Sequence, residues 1–235
     1  MRIALLLLAG VAGAQQVPTY RAGRTIDPIR VDGKLEEFTW AALPRVGRFQ
    51  TIRGVKATPR HATEAAVAWD EQNLYVAFAC RDPDPWGRMT KRDDRLWEEE
   101  VVEVFLDPDG DGKNYPELEV SPNNVVVDLL IPAPRSGATD AAKWNIVGLQ
   151  TAVGRQPAGW TVEIAIPWKS LAGSGTSTAP KPGDRWRVGL YRIKRPGGPG
   201  KERANDEYLA WSPTRADRGF HDPERFGVVE FVDAP

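Results

Sequence analysis

The chain has 235 residues, of which 41% are hydrophobic and 27% are charged, and its formal net charge at pH 7 is -1. This composition excludes a disordered chain and provides no strong positive field for nucleic acid or an acidic membrane. Nine tryptophans stand beside only two methionines and two histidines, a density typical of a β-sandwich core, a sugar-binding surface, or both.

The N-terminus has the pattern of a secretory signal peptide. Arg2 gives a positive start, residues 3–9 are apolar, and residues 12–14 form a small-x-small cleavage site. The apolar run is too short for a membrane anchor, and no lipid-accepting cysteine follows the site. We predict a signal peptide over residues 1–14, export to the periplasm or the extracellular space, and one domain over residues 15–235. The alternative for the apolar run is an ordinary buried strand or helix.

Short strands dominate the predicted elements. Residues 65–69 and 74–81 flank a four-residue turn and predict a hairpin. The other predicted strands cover residues 29–31, 101–107, 118–121, 125–131, 149–153, 160–166, 186–193, 208–211 and 228–232. One short helix within residues 35–43 and a helical turn at residues 167–171 complete the pattern. With no long amphipathic helix, it predicts an all-β fold: an antiparallel two-sheet β-sandwich, jelly-roll-like, with short helical turns only.

Alternation along residues 101–107 separates two faces of a strand. Val102, Val104 and Leu106 share one face, which leaves Glu103 on the other. Glu103 is therefore a carboxylate on a largely apolar strand.

Most tryptophans fall in strand or helical-turn patterns and are predicted to be buried in the core. They are Trp40, Trp69, Trp160, Trp168 and Trp186. Cys80 is the only cysteine, so it has no disulfide partner and is predicted to be a small core residue.

Trp97 differs from these tryptophans because acidic residues surround it. Asp93 and Asp94 precede it and residues 98–100 are all glutamates. A large ring there gains little from folding unless something packs on it, which indicates a ligand contact. The alternative is a ring that covers an edge of the sheet.

Asp107, Asp109 and Asp111 alternate around Gly110 and resemble the start of a calcium loop. The closing glutamate of an EF-hand is missing, so a turn between two strands is the favoured interpretation.

Catalysis finds little support in the sequence. Glu103 and residues 98–100 offer neighbouring carboxylates of the type that glycosidases use, but runs of adjacent acids are usually solvated. No hydrolase or phosphate-loop motif is present. The two histidines, His61 and His221, lie far apart in the chain and do not by themselves indicate a zinc site.

Several motifs together carry a family resemblance. In chain order they are residues 31–36 with Trp40, Trp69-Asp70 followed by residues 74–76, Asp82-Pro83, Trp97-Glu98 with residues 102–107, residues 160–168, residues 211–214, and Phe220 with residues 223–227. The motifs occur in the order seen in carbohydrate-binding module family 9, which the chain resembles over nearly its whole mature length.

The resemblance implies a β-sandwich whose site holds the end of a sugar chain between two aromatic rings. It places Trp97 as one ring, Phe220 as the other, and Glu103 as the carboxylate that accepts hydrogen bonds from sugar hydroxyls. Two positions depart from the family: Phe220 stands for a tryptophan, and Glu119 stands for an arginine on the neighbouring strand. Losing that donor beside Glu103 is expected to change the sugar preference.

Other roles for these residues stay open. Phe220 lies in a loop and could act as a lid on the core. Glu103 could instead form a buried ion pair with an arginine such as Arg192.

The sequence therefore predicts a non-catalytic, exported carbohydrate-binding protein. Its expected ligand is an oligo- or polysaccharide of plant type, and its expected partners are polysaccharide-degrading glycoside hydrolases. Two other classes remain: a domain that binds haem b through Met89 and His221, and a hydrolase that uses Glu103 with a neighbouring acid. No cofactor is predicted, although the resembling family holds structural calcium.

Overall fold

The fold is all-β in the computed structural model, which describes residues 16–54, 58–134, 136, 144–201 and 203–234. The described strands are β1 (Thr19–Arg24), β2 (Gln50–Thr51), β3 (Thr63–Trp69), β4 (Asn73–Arg81), β5 (Val101–Asp107), β6 (Tyr115–Val120), β7 (Val126–Ile131), β8 (Gln150–Gln156), β9 (Gly159–Pro167), β10 (Arg185–Lys194), β11 (Glu207–Ala210) and β12 (Gly227–Val232). The helix α1 (Phe38–Ala42) and 3-10 helices at Leu96–Glu98, Trp168–Ser174, Arg203–Asn205 and Pro223–Arg225 are all short. None of the described helices is long and apolar enough to cross a membrane.

The strands form one continuous sheet in the order β7-β6-β5-β10-β12-β1-β3-β4-β9-β8, with β11 beside β10 and β2 beside β11. The sheet is mixed, because β1 runs parallel to both β12 and β3 while the other pairs are antiparallel. The prediction of two separate antiparallel sheets is therefore wrong. The physical reason is β1, which joins the two halves of the sheet and which the sequence did not predict.

The main core lies between the two halves of the curled sheet. Val102, Val104 and Leu106 of β5 enter it from one half, and Leu74 and Phe78 of β4 enter it from the other. The face assignment predicted from alternation is thus confirmed.

The five tryptophans predicted to be core residues are all buried. Cys80 is buried and free, as predicted. Burial raises the pKa of its thiol to about 11, so the side chain is an inert core residue.

A second apolar cluster covers the outer face of β5, β6, β7, β10 and β11. Its buried members are Leu96, Val101, Phe105, Tyr115, Val127, Leu129, Ile131, Tyr191, Ile193, Ala210 and Phe226. This face carries Glu103 on β5, so the carboxylate singled out from the sequence belongs to the outer face and not to the main core.

A third cluster covers the outer face of β3, β4 and β9, where Trp40 of α1 packs and donates a 2.8 Å hydrogen bond from Nε1 to Oε1 of Glu163. The helix predicted within residues 35–43 is confirmed. Residues 29–31 were predicted to form a strand and do not. Ile29 and Val31 instead pack on this cluster as an irregular segment. The predicted signal peptide lies outside the described residues.

A buried ionic network lies on the inward side of β10. Arg192 Nη2 is 2.7 Å from Asp82 Oδ2, and Lys194 Nζ is 2.8 Å from Asp82 Oδ1 and 2.7 Å from Glu100 Oε1. All four side chains are at most 1% exposed. Two positive and two negative groups therefore neutralise each other directly beneath the strand that carries Tyr191 on its outer side.

Candidate functional site

The candidate site is centred on three carboxylates of the outer face. Glu103 of β5 lies directly opposite Glu119 of β6, and on its other side it lies opposite Tyr191 of β10. Glu117 is two residues before Glu119 and therefore points to the same face. Oxygen atoms of the three carboxylates lie within 4.8 Å of one another. Glu103, Glu117 and Glu119 are 1%, 6% and 1% exposed.

Burial dominates the protonation of this carboxylate cluster, by which we mean Glu103, Glu117 and Glu119. Burial raises the pKa of Glu103 well above its usual range, with a further increase from Glu117 and a decrease from the Arg195 guanidinium. Burial likewise raises the pKa of Glu117 to about 7, and that of Glu119 well above its usual range. Glu117 and Glu119 share a hydrogen bond, so one proton is held between them.

Several oxygens of the outer face have no hydrogen-bond partner within the part of the chain that is described. They are both oxygens of Glu103, Oε2 of Glu119 and the hydroxyl of Tyr191. An unpaired buried polar group costs about 1–3 kcal/mol, so native structures rarely leave several together. Their concentration on one face indicates a site that takes up a ligand.

Trp97 lies on the same outer face of the sheet, in the 3-10 helix Leu96–Glu98. Its ring is half-buried and packs against the second apolar cluster. Arg195 fixes the backbone there by donating a 2.6 Å hydrogen bond to the Trp97 carbonyl. The Arg95 guanidinium lies 5.6 Å from the centre of the ring.

Phe220 reaches the same cluster from a loop near the C-terminus. Its ring centre is 4.8 Å from that of Tyr191 and 6.0 Å from that of Tyr208. The four residues predicted for the site, Trp97, Glu103, Glu119 and Phe220, thus meet on one face of the sheet.

A cleft of about 470 Å³ opens beside Phe220. Tyr208, Arg53 and Arg215 also line it, and Trp97 does not. The cleft gives a ligand access to the Phe220 side of the face.

Sequence reasoning missed Glu117, Tyr191 and Tyr208. Glu117 was missed because the strand was predicted to begin at residue 118, whereas β6 begins at Tyr115. Tyr191 lay within the strand predicted over residues 186–193, and its two-residue alternation with Ile193 was the available signal.

The proposed pairing of Glu103 with Arg192 is wrong. Arg192 lies opposite Val102 in the β10–β5 ladder, one residue out of phase with Glu103, so it faces inward and pairs with Asp82. A one-residue offset reverses the face of a strand residue.

The aspartates of the β5–β6 turn also lie within 4.8 Å of one another. The Asp107 carboxylate accepts hydrogen bonds from the backbone N–H groups of Gly110 and Gly112, at 3.1 and 3.2 Å. These contacts match the favoured turn interpretation, and calcium binding by Asp107, Asp109 and Asp111 stays an alternative.

The two histidines have separate partners. His61 Nδ1 lies 3.1 Å from Glu207 Oε2, and His221 Nδ1 lies 2.9 Å from the Tyr115 hydroxyl. Burial lowers the pKa of His221, which favours a neutral ring. Neither histidine belongs to a group of three or more potential metal ligands among the described residues.

The family to which the sequence belongs gives the class of this protein as a carbohydrate-binding module. The sequence matches the family described as "Carbohydrate family 9 binding domain-like" over residues 31–234. The chain therefore belongs to that family, and the resemblance drawn from its motifs is confirmed.

Two curated relatives illustrate the range of proteins that contain this domain. An "Extracellular protein" of Arthroderma benhamiae is 28% identical over 201 residues, which are 78% of this chain and 83% of the relative. Endo-1,4-beta-xylanase A of Thermotoga neapolitana is 25% identical over 204 residues, or 86% of this chain. The match spans only 17% of that xylanase.

Solved structures share the fold. A carbohydrate-binding module of family 9 from Caldicellulosiruptor kristjanssonii, in complex with glucose, superposes with a TM-score of 0.66 at 16% identity, covering 92% of this chain and 97% of that one. A putative carbohydrate-binding protein from Bacteroides uniformis gives a TM-score of 0.69 at 16% identity, covering 92% and 100%.

Proposed function

We propose that this domain binds the end of a plant-type polysaccharide chain without cleaving it, with a sugar ring held between Trp97 and Phe220. The observation that carries this proposal is the meeting of these two rings on one apolar cluster around Glu103, although more than a hundred residues separate them in the chain. Family membership favours this function over the haem-binding and hydrolase alternatives.

The chemistry of a pyranose suits such a face. Its C–H side is apolar and stacks on aromatic rings, while its hydroxyls donate hydrogen bonds to carboxylates. Trp97 and Phe220 supply the rings, and the unpaired oxygens of Glu103 and Glu119 supply acceptors. We expect Glu119, in place of the family's arginine, to select a sugar that offers donors at that position.

Access to Glu103 requires movement, because the side chain is only 1% exposed. Trp97 and Phe220 are half-buried and belong to connecting segments, whereas Tyr191 and Phe105 are fixed in strands. We expect the two rings on the connecting segments to shift on binding, and sugar association to be slower than diffusion would allow.

The wider role proposed here is that of an exported partner of polysaccharide-degrading enzymes. The xylanase relative supports it by name, and the N-terminal pattern of residues 1–14 supports export. N-terminal sequencing of secreted protein is expected to give a start near Gln15, and a start at Met1 would contradict the export proposal.

The binding proposal is tested by replacing Trp97 with alanine and titrating the protein with cellotriose, glucose and xylo-oligosaccharides by calorimetry. Loss of an aromatic anchor costs about 1–3 kcal/mol, so we expect the Kd to rise on the order of 5- to 150-fold. Glu103→Gln is expected to weaken binding and keep the fold, since the amide retains an acceptor oxygen.

Trp144→Ala is the matched control, because Trp144 is also half-buried but packs against the main core. It should leave the Kd unchanged. Equal losses of affinity for the Trp97 and Trp144 variants, or no binding of these sugars by the unmodified protein, would refute the proposed site.

A further inference from the structure

The carboxylate cluster contains buried oxygens that have no hydrogen-bond donor beside them in the part of the chain that the structure describes. Three glutamates on two adjacent strands bring oxygens within 4.8 Å of one another at 6% exposure or less. Both oxygens of Glu103 and one of Glu119 lack a hydrogen-bond partner in the described part of the chain. These are buried acceptors, directed at each other and not at any donor.

The surrounding positive charges are committed elsewhere. Arg195 is the cation that acts on Glu103, but its guanidinium pairs with Asp206 and donates to the carbonyls of Trp97 and Glu99. Arg192 and Lys194 lie on the inward face of β10 and are neutralised there.

The remaining titratable neighbours do not supply the missing charge. His221 Nε2 is 3.8 Å from Glu117 Oε2, but burial favours its neutral form. Tyr115 and Tyr191 contribute neutral hydroxyls to the same face. Among the described residues, no Lys or Arg side chain therefore forms an ion pair with the three carboxyl groups.

We infer that Glu103, Glu117 and Glu119 bind a divalent metal cation of the hard, oxygen-seeking type, such as Ca²⁺ or Mn²⁺. Such ions take carboxylate oxygens at about 2.3–2.6 Å, which places ligands on opposite sides of the ion about 5 Å apart. The three carboxyl groups each bring one oxygen within 4.8 Å of the others, which is close enough for a single ion to contact all three. Binding of a divalent ion would release protons from these buried carboxyl groups, because only ionised carboxylates act as metal ligands.

The geometry favours a metal over the alternative cation, a protonated amino sugar. An amino sugar reaches the carboxylates only if Trp97 and Phe220 move, because the 470 Å³ cleft is lined by Phe220 and Tyr208 and not by any of the three glutamates. A bare ion needs only the space between the oxygens. This inference does not depend on sugar binding, although both involve Glu103.

The test uses the mature chain after dialysis against a chelator. Ca²⁺, Mn²⁺ and Mg²⁺ are titrated separately by calorimetry, and the Tm is recorded at each concentration. We expect at least one of these ions to bind with one equivalent at the cluster and to raise the Tm. Glu119→Gln is expected to weaken that binding at least tenfold and to fold, because the amide still donates to Glu117. Glu103→Gln is the second variant if the first is unstable.

Asp109→Asn is the matched control, since Asp109 belongs to the exposed acidic turn after β5. It should leave the metal affinity of the cluster unchanged. Binding that is lost in Asp109→Asn and kept in Glu119→Gln would overturn the inference, and so would the absence of binding for all three ions. A rise in Tm with glucosamine and with no metal would also overturn it, in favour of an ammonium ligand.

Sugar titrations with and without the bound ion separate the two proposals. Metal binding without any sugar binding would refute the proposed function alone, and sugar binding by a protein that binds none of the three ions would refute the metal site alone.

Discussion

Replacing Asp82 with asparagine tests how strongly the buried ionic network stabilises the fold. Asp82 is the carboxylate partner of Arg192 and one of two carboxylate partners of Lys194. Burial acts to raise the pKa of Asp82, but the hydrogen bond and charge of Lys194 and the charge of Arg192 outweigh it and hold the pKa below its usual range. The aspartate is therefore ionised at pH 7, and the variant loses one buried negative charge.

The expected loss of unfolding free energy follows from the buried charges that remain in the variant. Two buried cations, Arg192 and Lys194, would keep only Glu100 as a counter-charge among the described residues, and its pKa of about 7 leaves it partly protonated at pH 7. Breaking a buried ion pair on one side costs about 3–5 kcal/mol, because the other charge stays buried and uncompensated. Arg192 keeps a 3.0 Å hydrogen bond to Thr63 Oγ1, so we expect Asp82→Asn to lie near the lower end, at about 3 kcal/mol.

The assay is urea unfolding at pH 7, followed by tryptophan fluorescence and analysed with a common m-value. Glu71→Gln is the control, because Glu71 forms an exposed pair with Arg24 and its side chain is 67% exposed. Exposed pairs are worth about 0–1 kcal/mol. A loss below about 1 kcal/mol for Asp82→Asn, equal to that of the control, would refute the account of the network.

Two further predictions follow from neighbouring positions. Burial raises the pKa of Glu100 from 4.5 to about 7. The stability that this group contributes is complete below about pH 4.5 and is lost as the pH rises through 7. Between pH 5 and pH 8 the wild-type protein should therefore lose more unfolding free energy than Glu100→Gln, by up to about 3 kcal/mol. An equal change in unfolding free energy between pH 5 and pH 8 for the wild-type protein and Glu100→Gln, measured by urea unfolding, would contradict this. A Cβ at Gly189 would lie 2.6 Å from the Tyr191 ring, so Gly189→Ala should displace that ring and the Phe220 ring packed on it. We expect the variant to lose about 1–3 kcal/mol of stability and to bind sugar more weakly. Unchanged melting and titration curves would contradict this prediction.

The sequence predicted local structure well wherever one face of a strand was buried. Alternation assigned the two faces of β5 correctly, because one of them lies in the main core. It could not reveal β1, whose sequence Thr19–Arg24 contains charged and small residues and only one large apolar side chain, Tyr20. The parallel partner of that strand, β12, lies at the far end of the chain. Short-range patterns hold no information about such a pairing, so the curled mixed sheet was predicted as two antiparallel sheets.

The site was predictable in part for the same reason. The acidic surroundings of Trp97 marked it as unusual, and alternation placed Glu103 on the outer face. Neither pattern indicated that connecting segments cover this face and leave Glu103 buried. The alternative that Arg192 pairs with Glu103 is wrong, because it considered charge without the register of β10 on β5.

The position of β1 has a consequence for the order of folding. Thr19–Gly23 of β1 pair with Val228–Val232 of β12, and β1 also pairs with β3. During synthesis β1 thus precedes its partner β12 by about two hundred residues. Until β12 is synthesised, the edges of β1 and β10 that it will cover stay open, and loop-closure entropy makes such distant pairing slow. A chain that stops before β12 therefore exposes two unpaired strand edges, and we expect it to aggregate and not to fold.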